Sequence, residues 1–142
     1  MIDREVIESK LRFLREYLGD LEEYKTISLI DYQTNKKHQR FVERTVHLAC
    51  ECCLDIAAHV ISRLGLREPR DNKDLFVVLH ENKIISEAVQ TAMVKMAKFR
   101  NIVVHDYARI EPEVVMGILK KDLSDFNHFA REIITYMDTH KH

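Results

Sequence analysis

Arg100-Asn101-Ile102-Val103-Val104-His105-Asp106-Tyr107 gathers three chemically capable side chains within eight residues. An arginine is a permanent cation whose planar guanidinium can hold a phosphate through two parallel hydrogen bonds. A histidine can give or take a proton near neutral pH. A tyrosine hydroxyl close by can hydrogen-bond or accept a transferred group. Phosphodiester chemistry needs such a set: one group to hold the phosphate, another to move a proton.

The stretch lies late in a run with helical periodicity. Met93, Met96, Ala97, Val104 and Tyr107 share the face of Arg100, so a guanidinium emerges from an otherwise apolar stripe. That placement is expensive unless the charge is paired or kept for a task. On an ideal helix Arg100 and His105 lie about 140° apart, at 3.6 residues per turn. Three arrangements let both act at one place. The arginine can swing around, the helix can end or bend near His105, or a second subunit can supply the facing copy. A two-fold dimer would offer one histidine to remove a proton and another to protonate the leaving oxygen. On spacing alone the plainer readings stand beside these: an arginine reaching water or tying two helices, a helix-end histidine, a half-buried tyrosine ring.

A second polar line, Arg44, His47, Glu51, Asp55, His59 and Ser62, crosses an earlier helix at three- and four-residue steps. It reads either as a solvated face with ordinary helix pairs or as a source of carboxylates, with Glu51 or Asp55 anchoring Arg100 across the bundle. His47, Cys50 and Cys53 fall roughly on one side of that helix. No second set of ligands occurs elsewhere, whereas structural zinc usually takes four ligands from separated pairs. Packing of small buried cysteines is the better reading, and no metal is expected. Gly-rich phosphate loops, a Ser-His-Asp order and HExxH are absent, and no cofactor is expected.

The elements that must position these groups are helices. Alternation typical of strands is missing, and three glycines with two prolines in 142 residues leave few breakpoints. A first helix is predicted over about residues 3–23, capped by Asp3, with Ile7, Leu11, Leu14, Leu18 and Leu21 facing inward. A long second helix is predicted over about 30–64, with the stripe Val42, Val46, Ala49, Cys53, Ile56, Val60 and Leu64, stopped by Gly65 and Pro69. A third should follow Asp71 and end near Glu81. A fourth, from Ser86 to Tyr107, carries the motif, and a last one opens at Pro112 and runs to about Thr139. Lys141 and His142 form a tail. The fold class is all-α, an up-and-down bundle of four to five helices in a single domain over 1–142.

The formal net charge is −1. That argues against a broad basic face for nucleic acid, so positive charge for RNA would have to come from Lys95, Lys98, Arg100 and Arg109. No 18-residue apolar run or signal-peptide pattern is read, so a soluble cytoplasmic protein with no membrane partner is expected. Cys50, Cys52 and Cys53, odd in number and clustered, fit a reducing compartment and not a disulfide framework.

The segment Arg-Asn-x3-His-x-Tyr, within a helical chain of this length, resembles the signature of the HEPN superfamily, specifically its HepT-like branch. The similarity extends along the chain. Val46-His47-Leu48-Ala49-Cys50-Glu51-Cys52-Cys53-Leu54-Asp55-Ile56-Ala57 resembles the family's long second helix. Leu79-His80-Glu81-Asn82-Lys83-Ile84-Ile85-Ser86 resembles its leucine-rich interhelical turn, and residues 107–115 resemble the handover to its last helix.

The resemblance implies a homodimeric, metal-independent endoribonuclease, the toxin of a type VII-like toxin–antitoxin pair. Its partner would be a minimal nucleotidyltransferase that neutralises it by transferring AMP to the motif tyrosine. Carried to this chain, Arg100 and His105 would be catalytic at a dimer cleft, Asn101 would support them, and Tyr107 would be the AMP acceptor. Asp106, between His and Tyr, adds a negative charge beside the phosphate site. The alternative from another class is a non-catalytic helical module that binds a nucleotide or a protein. A third reading is a plain structural bundle.

Overall fold

The structure, a computed structural model, describes residues 2–105 and 110–140, with the side chains of Val104 and His105 outside that description. The described residues form helices and connecting turns, without a strand. In chain order these are α1 (Arg4–Glu22), α2 (Leu29–Thr34), α3 (Lys36–Leu64), α4 (Asn72–Glu81), α5 (Glu87–His105), α6 (Pro112–Gly117), a π-helical turn (Ile118–Asp122) and α7 (Leu123–Thr139).

The longest element, α3, is the axis of the bundle, touching α1, α2, α4, α5 and α7. Its apolar stripe is buried at Val42, Val46, Ala49, Cys53, Ile56 and Val60, while Leu64 at its end packs partly buried against the core. The inward face of α1 is the set its periodicity predicts: Ile7, Leu11, Leu14, Leu18 and Leu21 are all buried. Each such side chain contributes roughly 1.5–3 kcal/mol on burial. Phe76 of α4 meets Phe129 of α7 edge to face, with ring centroids 5.6 Å apart, an arrangement favoured by the ring quadrupoles.

Local chemistry sets the ends. Asp3 accepts from the amides of Glu5 and Val6 and so caps α1. Gly65, at φ 64°, adopts the left-handed conformation that ends α3, and the Leu66 amide reaches back to the Ile61 carbonyl at 3.0 Å. This is the glycine-dependent helix stop expected there. Asp71 caps α4 through the Asp74 amide, and Pro112 lies in the first turn of α6.

Two expectations are corrected. The long second helix is two helices: Asn35 takes an extended backbone (φ −123°, ψ 101°), and its side chain accepts from the amides of Lys37 and His38. Asparagine competes with the helix by bonding to nearby backbone, so it starts a new helix where the sequence pattern runs through. The final helix is not uniform either, because it widens into the π turn. There Lys120 Nζ donates to the carbonyls of Lys25 and Ile27, each at 3.1 Å, tying the turn to the loop after α1.

The hydropathy of α3 has a structural cause. By length and composition, Lys36–Leu64 would suffice to cross a membrane. Most of its apolar window is buried inside the bundle, which accounts for its hydropathy as that of a core helix.

At the far end of the bundle Arg67 clamps Asp74 through two bonds, at 2.7 and 2.9 Å, and reaches Glu81 through two more. The Arg67 guanidinium, with the Arg70 amide, holds the Asp74 carboxyl at about 2, below its ordinary 3.8. A depressed acid stabilises the fold above the unfolded-state pKa, and that contribution disappears as pH falls through the folded value. Arg67→Met should therefore melt below the wild type at neutral pH. The gap should close between about pH 4 and pH 2, as read by thermal unfolding across that range. A gap independent of pH would show that Asp74 ionisation plays no part.

Candidate functional site

The polar line on α3 divides among three tasks. At its C-terminal end, the His59 Nε2 atom accepts the Asp3 amide at 3.1 Å and supports the start of α1. That acceptor role requires an unprotonated Nε2, and burial with Arg63 nearby holds the His59 pKa below its ordinary value. Next, Asp55 pairs with Lys10 of α1 at 3.0 Å, on a side of α3 turned away from α5. Finally, Glu51, one turn before Asp55, faces α5 and receives the Arg100 Nε–H at 2.5 Å. Of the two carboxylates named as anchors for Arg100, Glu51 reaches it and Asp55 is engaged elsewhere.

Arg100 leaves α5 beside Met93, Met96, Phe99 and Ala97, all buried. Its side chain is 19 % exposed and that of Glu51 33 % exposed, so the pair lies half inside the bundle at the α3–α5 seam. Here a guanidinium has lost much of its water and needs a fixed anion. Asn101 supplies a second contact: its Oδ1 accepts from Arg100 Nη1 at 3.3 Å. Behind the pair, Cys50 Sγ lies 3.9 Å from the Met96 carbonyl, which joins the two helices below the charges. Burial pushes the Cys50 thiol up to about 12 and the Cys52 thiol up to about 11, and it holds the Cys53 thiol well above its ordinary value. These cysteines are packing groups.

Sequence reasoning named Arg44 and His47 without giving them a part in the site. Both join it. His47 Nε2 lies 3.2 Å from the same Glu51 Oε1 that Arg100 engages, and Arg44 Nη1 lies 3.4 Å from His47 Nδ1. The signal that could have found them is the i, i+3, i+7 spacing of Arg44, His47 and Glu51, which stacks them on consecutive turns. The charge supply also differs from expectation. Lys95 turns to Asp122 at 3.6 Å, across to the π turn, while Lys98 is exposed. Arg44 is the cation that the spacing adds.

The α5 backbone remains helical through His105, so positions 100 and 105 stay about 140° apart around its axis. Asp106, Tyr107 and Arg109 lie outside the described residues, as does the tail at Lys141 and His142. Within the motif Ile102 is 47 % exposed, and Val114, after it in the chain, is 50 % exposed.

This is an all-helical bundle with a charged pair set at the seam of its two central helices, beside an Arg-x4-His segment. A family model described as ribonuclease, HepT-like, matches residues 14–133, and the chain belongs to that family. It is 28 % identical over 138 residues to the tRNA nuclease HepT of Aphanizomenon flos-aquae, covering 97 % of this chain and 94 % of the relative. Among solved structures, a chain of a toxin–antitoxin complex with AMP-PNP superposes with a TM-score of 0.86 at 26 % identity, over 93 % of this chain and 99 % of that one. A tri-AMPylated HEPN toxin of Shewanella oneidensis, in complex with its MNT antitoxin, superposes with a TM-score of 0.85 at 25 % identity, over 94 % and 99 %.

The division of the α3 line has a measurable consequence. Glu51→Ala should destabilise the protein by about 2 kcal/mol, since it strands a partly buried guanidinium. Asp55→Ala removes an exposed pair and should cost less than about 0.5 kcal/mol. Urea unfolding of both variants checks this, and equal losses would deny Glu51 its special position.

Proposed function

We propose that the chain is the ribonuclease toxin of a toxin–antitoxin pair, cleaving RNA without a metal ion. The observation that carries this reading is the Glu51–Arg100 contact, which holds a guanidinium at the bundle seam on the helix that leads to His105. Glu51 occupies the Nε–H of Arg100, and a phosphate would engage donors on the Nη side. Of the five donors in the guanidinium's rigid fork, four lie there. Arg100 would hold the scissile phosphate and offset the charge that develops on it. Asn101 would steady the guanidinium.

In the reaction the RNA 2′-oxygen attacks phosphorus and the 5′-oxygen leaves, giving a 2′,3′-cyclic phosphate. One histidine takes the 2′-hydroxyl proton and another delivers a proton to the leaving oxygen. His105 supplies one of these, and His105 of a second copy supplies the other across a two-fold cleft. The divergence of positions 100 and 105 favours a site shared between copies. So does the exposure of Ile102 in the motif and of Val114 after it. The unit is one HepT-like HEPN domain along 1–142, working in the cytoplasm, where three buried thiols remain reduced.

The partner is a nucleotidyltransferase antitoxin that transfers AMP to Tyr107. The tyrosine oxygen attacks the α-phosphorus of ATP, and pyrophosphate leaves. The attached phosphate would then lie against Arg100, where it competes with RNA. Support comes from the superposition on toxins solved with antitoxin partners, one of them AMPylated.

A non-catalytic reading, with the seam holding a nucleotide, draws on the net charge of −1. Expression of the wild type, Arg100→Ala and His105→Ala without the antitoxin, with purified RNA in chelator, separates the two. The expected outcome is growth arrest and metal-free cleavage by the wild type, with cleavage reduced at least about 100-fold in both folded variants. RNA left whole by all three would favour the non-catalytic module. Tyr107→Phe should cleave RNA like the wild type yet resist neutralisation. AMP still incorporated into that variant, followed with labelled ATP, would place the acceptor elsewhere.

A further inference from the structure

Glu51 Oε1 is shared. It accepts from Arg100 Nε at 2.5 Å and lies 3.2 Å from His47 Nε2. On the other side of the imidazole, Arg44 Nη1 lies 3.4 Å from Nδ1. Arginine has donors only, so its contact with Nδ1 requires a lone pair there. The ring proton then belongs on Nε2, where it points at Glu51. The polarity runs in one direction: Arg44 donates to His47, His47 donates to Glu51, and Glu51 also receives Arg100.

We propose that His47 is a positioning residue of this site: as the neutral, Nε2-protonated imidazole it fixes Glu51, and Glu51 thereby fixes Arg100. The consequence for RNA cleavage rests on the ribonuclease reading above, while the geometric claim does not. A glutamate has three rotatable bonds, and a single contact with a long arginine leaves both side chains room to move together. His47 sits one turn before Glu51 on the same face of α3, with its side chain only 18 % exposed. Its shorter, stiffer side chain closes on the carboxylate from within α3. The oxygen is then held between a ring fixed to α3 and a guanidinium fixed to α5. Such support matters because a reacting group displaced by about 1 Å can lose on the order of 100-fold in rate.

The role also explains why a histidine suits this position. Lysine would add a charge, and an apolar ring would leave the carboxylate without its second donor. Glutamine would supply both a donor for Glu51 and an acceptor for Arg44, so it is the conservative replacement.

The test uses the full chain labelled with nitrogen-15, as wild type, His47→Phe and His47→Gln, with Arg100→Lys to identify the Arg100 Nε–H signal by its loss. In the wild type the His47 nitrogens should report an unprotonated Nδ1 and a protonated Nε2. His47→Phe keeps the ring volume, and should speed solvent exchange of the Arg100 Nε–H at least tenfold. It should also lower kcat for RNA cleavage at least tenfold with KM changed less than threefold. His47→Gln should restore exchange and kcat to within threefold of the wild type. A Nδ1-protonated His47, or unchanged Arg100 exchange in folded His47→Phe, would overturn the proposal. If His47→Phe fails to fold, the wild-type tautomer and the exchange in His47→Gln still decide. Nuclear resonance results as expected, alongside a wild type that leaves RNA whole, would sustain the relay and defeat the ribonuclease reading.

Discussion

One ion pair organises this protein: the Arg100 guanidinium bonded through Nε to Glu51. The stripe that carries Arg100 is otherwise committed to the core, with Met93, Met96 and Ala97 buried beneath it. Removing such a charge from water is unfavourable, and replacing a buried ion pair by apolar groups is often neutral or stabilising. A bundle needing only stability would do as well with apolar residues at both positions 51 and 100. The pair makes physical sense as a means of presenting a cation at a fixed place, with the bonded glutamate limiting the cost of holding it there.

The rest of the fold follows from holding α3 and α5 in register. α3 is packed on several sides, by α1, α2, α4, α5 and α7, so its polar face cannot rotate without disturbing the core. α5 is fixed at its start: Glu132 of α7 accepts from both the amide and the hydroxyl of Ser86, at 2.6 and 2.8 Å. The Cys50–Met96 contact ties its middle to α3. Both anchors lie N-terminal to Arg100, so α5 is held in place before the motif begins. Rigid elements behind it are what a reactive constellation requires.

Much of this is legible in sequence because helix faces obey a fixed period. The α1 set from Ile7 to Leu21 and the α3 stripe from Val42 to Val60 are buried as spacing alone predicts, and Asp3, Gly65, Asp71 and Pro112 mark ends of α1, α3, α4 and α6 by known local chemistry. Asn35 is harder to read. An asparagine within a polar run fits a solvated helix or a cap equally well, and the choice depends on how α2 packs against α3 and α6. The π turn is less legible still, since its reward is the tertiary bond from Lys120 to the loop after α1. At the site, both Glu51 and Asp55 are within sequence reach of α5. Their choice of partner is set by the rotation of α3 about its axis: four residues advance the helix by about 40° beyond a full turn. That offset helps direct Asp55 toward Lys10 and Glu51 toward Arg100.

The net charge of −1 looks ill-suited to an RNA enzyme only if RNA binding means a basic surface. Long-range attraction scales with the number of phosphates neutralised, and screening confines it to about 10 Å at ordinary salt. A site that acts on a single phosphate needs a local field. At the α3–α5 seam the described Arg44, Glu51 and Arg100 together carry a net of one positive charge. Lys95, which could have enlarged that field, is drawn off to Asp122. On the proposed reading the protein therefore has little reach for RNA at large, and selection falls to the fit of a particular strand at the cleft. A toxin built this way holds its reactive cation at a contact made of two helices and one carboxylate. On the same reading, AMP attached at Tyr107 would be a proportionate means of silencing it: its phosphate would oppose the small positive excess of the site, with no need for a broad acidic partner surface to cover the protein.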